Sequence, residues 1–214
     1  VDGHGVFTGI VQGVCPVVSC EPLAGVTRIT LQLDGLARGL DLGASVAVNG
    51  ACVTAAEIDG SLVGFDLVKE TIELSNLGEL AAGTNVNVER SFRVGDEVGG
   101  HILSGHVAGV AVVTQIKSDD GHRLVTMAIQ REWMAYLMLK GFVALDGASL
   151  TIAEIDRAAA TIAVSLIPET LARTTFGRLE VGDRINLEVD SQTQAIVDTV
   201  REVLKDESLL EGIR

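Results

Sequence analysis

Aromatic residues, proline and positive charge are all scarce in this chain. Phe, Trp and Tyr together make up 3%, there are 3 prolines, and 16 Lys and Arg stand against 29 Asp and Glu. The net charge of −13 and isoelectric point near 4.6 create a field that repels a phosphate backbone, so no nucleic-acid partner is expected. No run approaches the roughly 18 apolar residues of a spanning helix, so no membrane partner is expected either. No charged start leads into an apolar stretch and a cleavage site, the pattern of a secretion signal. The three cysteines, Cys15, Cys20 and Cys52, are odd in number and lack metal-ligand spacing; reduced thiols in a cytoplasmic protein are the expectation. Gly99-Gly100 and Gly105 belong to no Gly-x-Gly-x-x-Gly or Walker pattern, so no phosphate cradle is expected.

Hydrophobic residues, at 47%, and glycine, at 24 residues, are plentiful. The first excludes disorder. The second, scattered among short Val- and Ile-rich runs, points to tight turns between short strands.

The most informative feature is an internal repeat. Val6-Phe7-Thr8-Gly9-Ile10-Val11-Gln12-Gly13-Val14 returns 96 positions later as Ile102-Leu103-Ser104-Gly105-His106-Val107-Ala108-Gly109-Val110. Asn49-Gly50-Ala51-Cys52-Val53-Thr54-Ala55-Ala56-Glu57-Ile58 returns as Asp146 to Ile155, identical at six of ten positions. Lys69-Glu70-Thr71 aligns with Pro168-Glu169-Thr170, and Asn87 and Glu89 align with Asn186 and Glu188. A period near a hundred residues is the length of a small domain. The chain therefore divides into residues 1–96, a duplicate at 97–190, and a tail at 191–214.

Each half reads as all-β. Asn49-Gly50 and Asp146-Gly147 are hairpin turns between apolar runs. Val86-Asn87-Val88-Glu89 and Ile185-Asn186-Leu187-Glu188 alternate as half-buried strands do. Several short strands per half, with edges best hidden by closure, suggest two tandem Greek-key barrels. A short helix is expected in each, at Glu70–Leu77 and at Glu132–Leu139. In the tail, Ile196, Val197, Val200, Val203 and Leu204 recur at three and four, which predicts an amphipathic helix over Gln192–Leu204. Its apolar face packs on its own barrel or along a seam with a second copy.

Positions where the copies differ carry the candidate chemistry. Ile10 is matched by His106, Cys52 by Ser149, Asn49 by Asp146 and Lys69 by Pro168. Two related pockets with unequal groups suit two bound molecules in unequal roles. His106 is able to move protons near neutral pH, or to serve as a hydrogen-bonded turn residue. With His101 it makes no recognisable zinc pattern. Cys52 and Ser149 are candidate nucleophiles without a triad order, and Cys52 also suits a small buried hydrophobe. Glu70-Thr71 and Glu169-Thr170 fit helix capping or ligand contact.

Phe7-Thr8-Gly9-Ile10-Val11, Asn49 to Thr54, Phe65-Asp66-Leu67 with Lys69-Glu70-Thr71, Asn87-Val88-Glu89-Arg90, Gly99-Gly100-His101 with Ser104-Gly105-His106, Lys140-Gly141-Phe142, Asp146-Gly147 with Ser149-Leu150-Thr151, and Ile167-Pro168-Glu169-Thr170 occur in order and at matching spacing. On these segments, from Val6 to about Leu204, the chain resembles the riboflavin synthase family. The resemblance implies two six-stranded barrels and a C-terminal helix that assembles a homotrimer. It implies that two molecules of 6,7-dimethyl-8-ribityllumazine stack between the N-terminal barrel of one subunit and the C-terminal barrel of the next. One gives a four-carbon unit to the other, yielding riboflavin and 5-amino-6-(D-ribitylamino)uracil. No metal or other cofactor is implied; lumazine synthase is a further partner to consider.

By the same resemblance His106, Ser149, Cys52, Lys140 and Asp146 are the catalytic candidates, His106 and Ser149 managing the proton and Cys52 serving the acceptor. Ser45, Cys52, Val53, Thr54, Asp66, Leu67, Val68, Lys69, Glu70 and Thr71 are expected in the first site, with the backbone of Gly9, Ile10 and Val11. Gly105, His106, Val107, Lys140, Asp146, Ser149, Leu150, Thr151, Ile167, Pro168, Glu169, Thr170, Leu171, Ala172 and Asp190 are expected to line the second. Val6 stands where the family's first methionine ordinarily stands, and Val1-Asp2-Gly3-His4-Gly5 precede it, an extension expected near the site. Relatives that bind lumazine or a flavin without catalysis share the fold. Retention of His106, Lys140, Asp146, Ser149 and Thr151 favours the enzyme.

Overall fold

Alternation of buried and exposed side chains, turn by turn, closes this chain into two barrels. The computed structural model describes residues 5–205; Val1–His4 of the expected extension and the end of the expected tail lie outside them. Strands β1 (Gly13–Leu23), β2 (Val26–Gln32), β3 (Ser45–Val48), β4 (Ala51–Asp59), β5 (Leu62–Leu67) and β6 (Asn85–Arg90) form the first barrel, closed in the order β1-β2-β5-β4-β3-β6. Strands β7 (Gly109–Asp119), β8 (His122–Ala128), β9 (Phe142–Leu145), β10 (Ala148–Asp156), β11 (Thr161–Leu166) and β12 (Arg184–Val189) close the second in the equivalent order. Every pairing is antiparallel.

Closure needs local bending, and the register slips at matching places in both copies. These are Val17/Ser19 and Ala55/Glu57 in the first, Val113/Gln115 and Ile152/Glu154 in the second. Such bulges raise the twist of the bulged strand. Each barrel then fills with its own apolar core: Ile29, Leu31, Phe65 and Leu67 in one, Met127, Leu145, Ile152 and Ile162 in the other, none more than 1% exposed. Full burial of each such side chain contributes about 1.5–3 kcal/mol.

The two hairpins read from sequence sit back to back. Asn49 and Gly50 have φ of +43° and +79°, Asp146 and Gly147 of +40° and +79°, the left-handed pair that a two-residue hairpin turn requires. A Cβ on Gly50 would lie 2.6 Å from the Gly147 nitrogen. Glycine is thus needed at the seam both for its φ and for its lack of bulk.

The two helices expected within the barrels are shorter than the apolar spacing predicts. The expected helix over Glu70–Leu77 is α1 (Lys69–Leu74) followed by a separate 3-10 turn, Asn76–Glu79. The break falls at Ser75, which is extended (φ −124°, ψ 170°) and whose hydroxyl accepts from the Leu77 N–H. The expected helix over Glu132–Leu139 is only one 3-10 turn, Trp133–Tyr136. There Leu137 turns extended to bury itself, and the Arg157 guanidinium donates to the carbonyls of Met134 and Leu137 at 2.6 and 2.9 Å. The second barrel's α-helix is instead α2 (Pro168–Arg173), the repeat of α1. Proline, whose missing N–H costs nothing in a first turn, begins it.

The tail forms α3 (Ser191–Lys205). Its Val197 packs against the second barrel's core. The Tyr136 hydroxyl donates to Asp198 at 2.6 Å and accepts from Arg201 at 3.0 Å. Ile196, Val200 and Leu204 remain exposed on the helix.

Candidate functional site

The segments ahead of the two barrels exchange places. Phe7 and Leu103 form a two-hydrogen-bond antiparallel bridge, both bonds 2.9 Å. Around it Phe7, Ala47, Leu103 and Ala144 make a small apolar cluster against which Cys52 packs. Beyond the bridge each segment lies on the opposite barrel. The Gly9 carbonyl accepts from the Ser149 N–H at 2.8 Å, and the Gly105 carbonyl from the Cys52 N–H at 2.9 Å. Val11 packs against the second core and Val107 against the first. Gly9 and Gly105 have φ of +74° and +75°, and a Cβ on either would come within 2.5 and 2.6 Å of the Ser149 and Cys52 Cβ atoms.

This crossing redistributes the expected site residues. Gly9, Ile10 and Val11, expected beside Cys52, border Ser149 instead; Gly105 and Val107, expected with Ser149, border the first barrel. The Ser149 hydroxyl meets His101, not His106: Oγ and Nδ1 are 2.7 Å apart. His101 is buried and stacked on Phe142, with ring centroids 4.9 Å apart and planes 16° apart. Burial pushes its pKa below the ordinary histidine value, with Asp190 opposing. His101 Nε2 is buried without a hydrogen-bond partner among the described residues.

A cavity of about 170 Å³ opens beside Ser149, bordered by Gly9, Ile10, Val11, Leu150 and Thr170. Thr151 lies exposed two residues along β10 from Ser149. Ile167, Pro168 and Glu169 are exposed at the start of α2, and Lys140 is exposed where the chain enters β9, with φ of +64°. Leu171 and Ala172 border a different cavity, at the seam between the barrels, and Leu171 also packs against the second barrel's core. Asp190 is half-buried, and its carboxylate accepts from the N–H and hydroxyl of Thr193 at the start of α3.

Around Cys52 the counterpart surface is built from β3, β4 and α1. Ser45 pairs across from Thr54, and Thr71 is half-buried. Val68, Lys69 and Glu70 are exposed. Val53 and Leu67 are not available as side-chain contacts, because strand alternation turns them into the barrel core. The Asp66 carboxylate accepts from Arg28 at 2.7 and 2.9 Å, and that pairing holds its pKa below the usual range.

Two expected catalytic groups stand apart from Ser149. His106 is exposed and borders a cavity of about 420 Å³ with Trp133, Glu188 and Gln194. Asp146 lies inside the seam, where its carboxylate accepts from the Asn186 N–H at 2.8 Å and from Asn76 at 2.9 Å. Burial raises its pKa to about 7. Hairpin geometry explains the placement: Asp146 is the turn residue opposite Gly50, so its side chain belongs to the seam. Asn49, its counterpart, accepts from the Asn87 N–H and donates to Asn76. Together they border a cavity of about 630 Å³ with Arg178 and Arg184.

Glu89 and Glu188 entered no candidate set, although both copies carry them. Glu89 accepts from the Thr8 N–H and hydroxyl and the Gly9 N–H at 2.7, 2.8 and 3.0 Å. Glu188 accepts from the same groups of Ser104 and Gly105 at 2.8, 2.9 and 3.2 Å. Burial pushes both carboxyls up from the ordinary range against the pull of these donors.

A family model described as the lumazine binding domain matches residues 8–91 and again 104–190. The chain is 46% identical to riboflavin synthase of Escherichia coli over 200 residues, 92% of this chain and 93% of that one. It is 39% identical to that of Chlamydia pneumoniae, over 92% of this chain and 96% of that one, and 32% identical to that of Bacillus subtilis, over 86% and 85%. Among solved structures it resembles LumP complexed with 6,7-dimethyl-8-(1'-D-ribityl) lumazine, at a TM-score of 0.78 and 25% identity, covering 86% of this chain and 99% of that one. LumP complexed with riboflavin gives 0.79 and 27%, covering 86% and 100%.

Proposed function

The chain belongs to the riboflavin synthase family, and on that premise we propose that it converts two molecules of 6,7-dimethyl-8-ribityllumazine into riboflavin and 5-amino-6-(D-ribitylamino)uracil. A four-carbon unit passes from one lumazine to the other. The observation that carries this reading is the pair of equivalent but chemically unequal surfaces, Cys52 in the first barrel and Ser149 with His101 in the second. Two copies of one substrate in different roles need that combination of likeness and difference.

The reaction begins with loss of a proton from the C7 methyl of one lumazine, whose ring spreads the resulting charge. His101, kept neutral by burial near neutral pH, is suited to take that proton through the Ser149 hydroxyl. Cys52 serves the second lumazine. Holding the rings face to face replaces a bimolecular encounter and lowers the barrier by about 7–11 kcal/mol.

A single chain gives only part of such a site. The 170 Å³ beside Ser149 is well under the roughly 300–1,000 Å³ of small-molecule pockets. We place the second lumazine on the Cys52 surface of a neighbouring copy, in a homotrimer. The exposed stripe of Ile196, Val200 and Leu204 on α3 supplies an apolar helical seam along which copies can pack. Three free thiols fit a cytoplasmic enzyme.

The test is incubation with the lumazine alone, following riboflavin absorbance. One riboflavin per two lumazines consumed is expected. Tight lumazine binding with no riboflavin formed would assign the chain to the non-catalytic binders.

A further inference from the structure

Each crossing segment is held by a carboxylate of the barrel it leaves and completes the surface of the barrel it reaches. From this we propose that Glu188 and Glu89 are crossed positioning residues. Glu188, in the second barrel, sets the Cys52 surface of the first; Glu89, in the first barrel, sets the Ser149 surface of the second. The proposal rests on reading those two surfaces as ligand sites.

The geometry over-determines the two arms. One oxygen of each carboxylate accepts both a backbone N–H and the hydroxyl of the same residue, Thr8 or Ser104, and the other accepts the next N–H, of Gly9 or Gly105. Three converging donors fix the arm in position and direction at once. The next contact along each arm is the carbonyl of that same glycine on the opposite barrel, at Ser149 or Cys52. A shift of the carboxylate is therefore delivered across the seam.

Burying a carboxylate is costly unless its acceptors are used. Glu89 and Glu188 are 3% and 6% exposed, yet each barrel has a complete apolar core without them. Core packing does not call for a carboxylate there. Fixing an arm with three donors does, because only a carboxylate offers acceptors on both sides of the fork. Glutamine would turn an NH₂ group toward a glycine N–H, or toward the hydroxyl and N–H pair, and lose part of the clamp.

The distinguishing experiment reads each surface separately in the full chain. In a Cys20→Ser background Cys15 is buried, so iodoacetamide reports on Cys52. Glu188→Gln is expected to speed Cys52 alkylation about tenfold, the loss that one buried hydrogen bond commonly brings, while Glu89→Gln leaves it within about twofold. Amide hydrogen exchange gives the mirror reading. Glu89→Gln frees the Gly9 and Ser149 amides, and Glu188→Gln frees those of Gly105 and Cys52. Equal effects of both variants on both surfaces, or effects confined to the mutated barrel's own surface, overturn the proposal. If either glutamine variant lacks a cooperative melting transition, Ser104→Ala and Thr8→Val remove one donor each and must give the same crossed pattern. None of these readouts needs turnover. A wild-type chain that makes no riboflavin would defeat the proposed reaction and leave the crossed clamp to stand or fall by itself.

Discussion

Asp146 occupies the place that Asn49 holds in the other barrel, and the difference is one ionisable proton. Burial lifts the folded pKa to about 7, above an ordinary value of 3.8. Below about pH 4 the folded and unfolded forms are both protonated and the group has no effect on stability. As the pH rises from there to 7 the unfolded chain ionises first, so the fold loses stability through that window and regains none above it. Asp146→Asn keeps an oxygen for the Asn186 N–H and the Asn76 amide and removes the titration. The variant is expected to gain on the order of 2–4 kcal/mol over wild type at pH 8, and far less at pH 4.5. Urea unfolding at the two pH values checks this, and an equal difference at both would refute it.

His101 is the second residue whose role was hidden in the sequence. Gly99-Gly100-His101 was visible as a motif, but no spacing links it to Ser149, 48 residues away. The link is a tertiary contact within the second half, where the segment ahead of β7 folds back so that His101 meets Ser149 and Phe142. His106 drew the chemistry because it differs from its mate Ile10. His101→Gln is expected to lower kcat about a hundredfold with little change in KM, the usual size of a lost acid–base group. Because burial lowers the folded pKa of His101, wild-type activity falls only once the pH drops below the ordinary histidine range. A pH–rate profile of the variant that keeps the same acidic limb would remove His101 from proton transfer.

Among elements, strands, turns and the long tail helix were legible, while the short helices within the barrels were legible only in part. Strand alternation and Asn-Gly or Asp-Gly turns are local signals, and the repeat doubled each of them. Trp133, Leu137 and Lys140 have helical spacing, but Leu137 is buried together with Met134 and Tyr136, and Arg157 takes the carbonyls that a helix would use. Pro168 at a first turn is the better helix signal, and it aligns in the repeat with Lys69, which begins α1. The turns themselves differ in tolerance. Gly60 has φ of +61° with open space around it, whereas Gly50 has φ of +79° and meets Gly147. Gly60→Ala is expected to cost about 1 kcal/mol, the left-handed penalty alone. Gly50→Ala, which must also part the two hairpins, is expected to cost about 3 kcal/mol or more. Denaturation midpoints of the two variants separate strain from contact; similar losses would mean that the seam gives way easily.

For the whole molecule, the duplicated chain raises the question of which two surfaces make one site. Both belong to every copy, so a site within one chain and a site shared between copies use the same residues and differ only in pairing. Thr54 and Thr151 are equivalent, exposed positions on β4 and β10, two residues beyond Cys52 and Ser149. Tryptophan at either is tolerated by the fold because the side chain faces out, and it covers the adjacent surface. Thr54→Trp and Thr151→Trp are each expected to abolish turnover as pure assemblies. If the subunits are dissociated, mixed in equal amounts and reassembled, a site drawing its first barrel from one copy and its second from another is intact in about a quarter of random pairings. Recovery of about a quarter of wild-type activity therefore marks a shared site, since a tryptophan-free first barrel and a tryptophan-free second barrel then always come from different chains. No recovery on mixing, with reassembly verified by sedimentation, would place both lumazines on a single copy and leave the exposed stripe of α3 without a role in the chemistry.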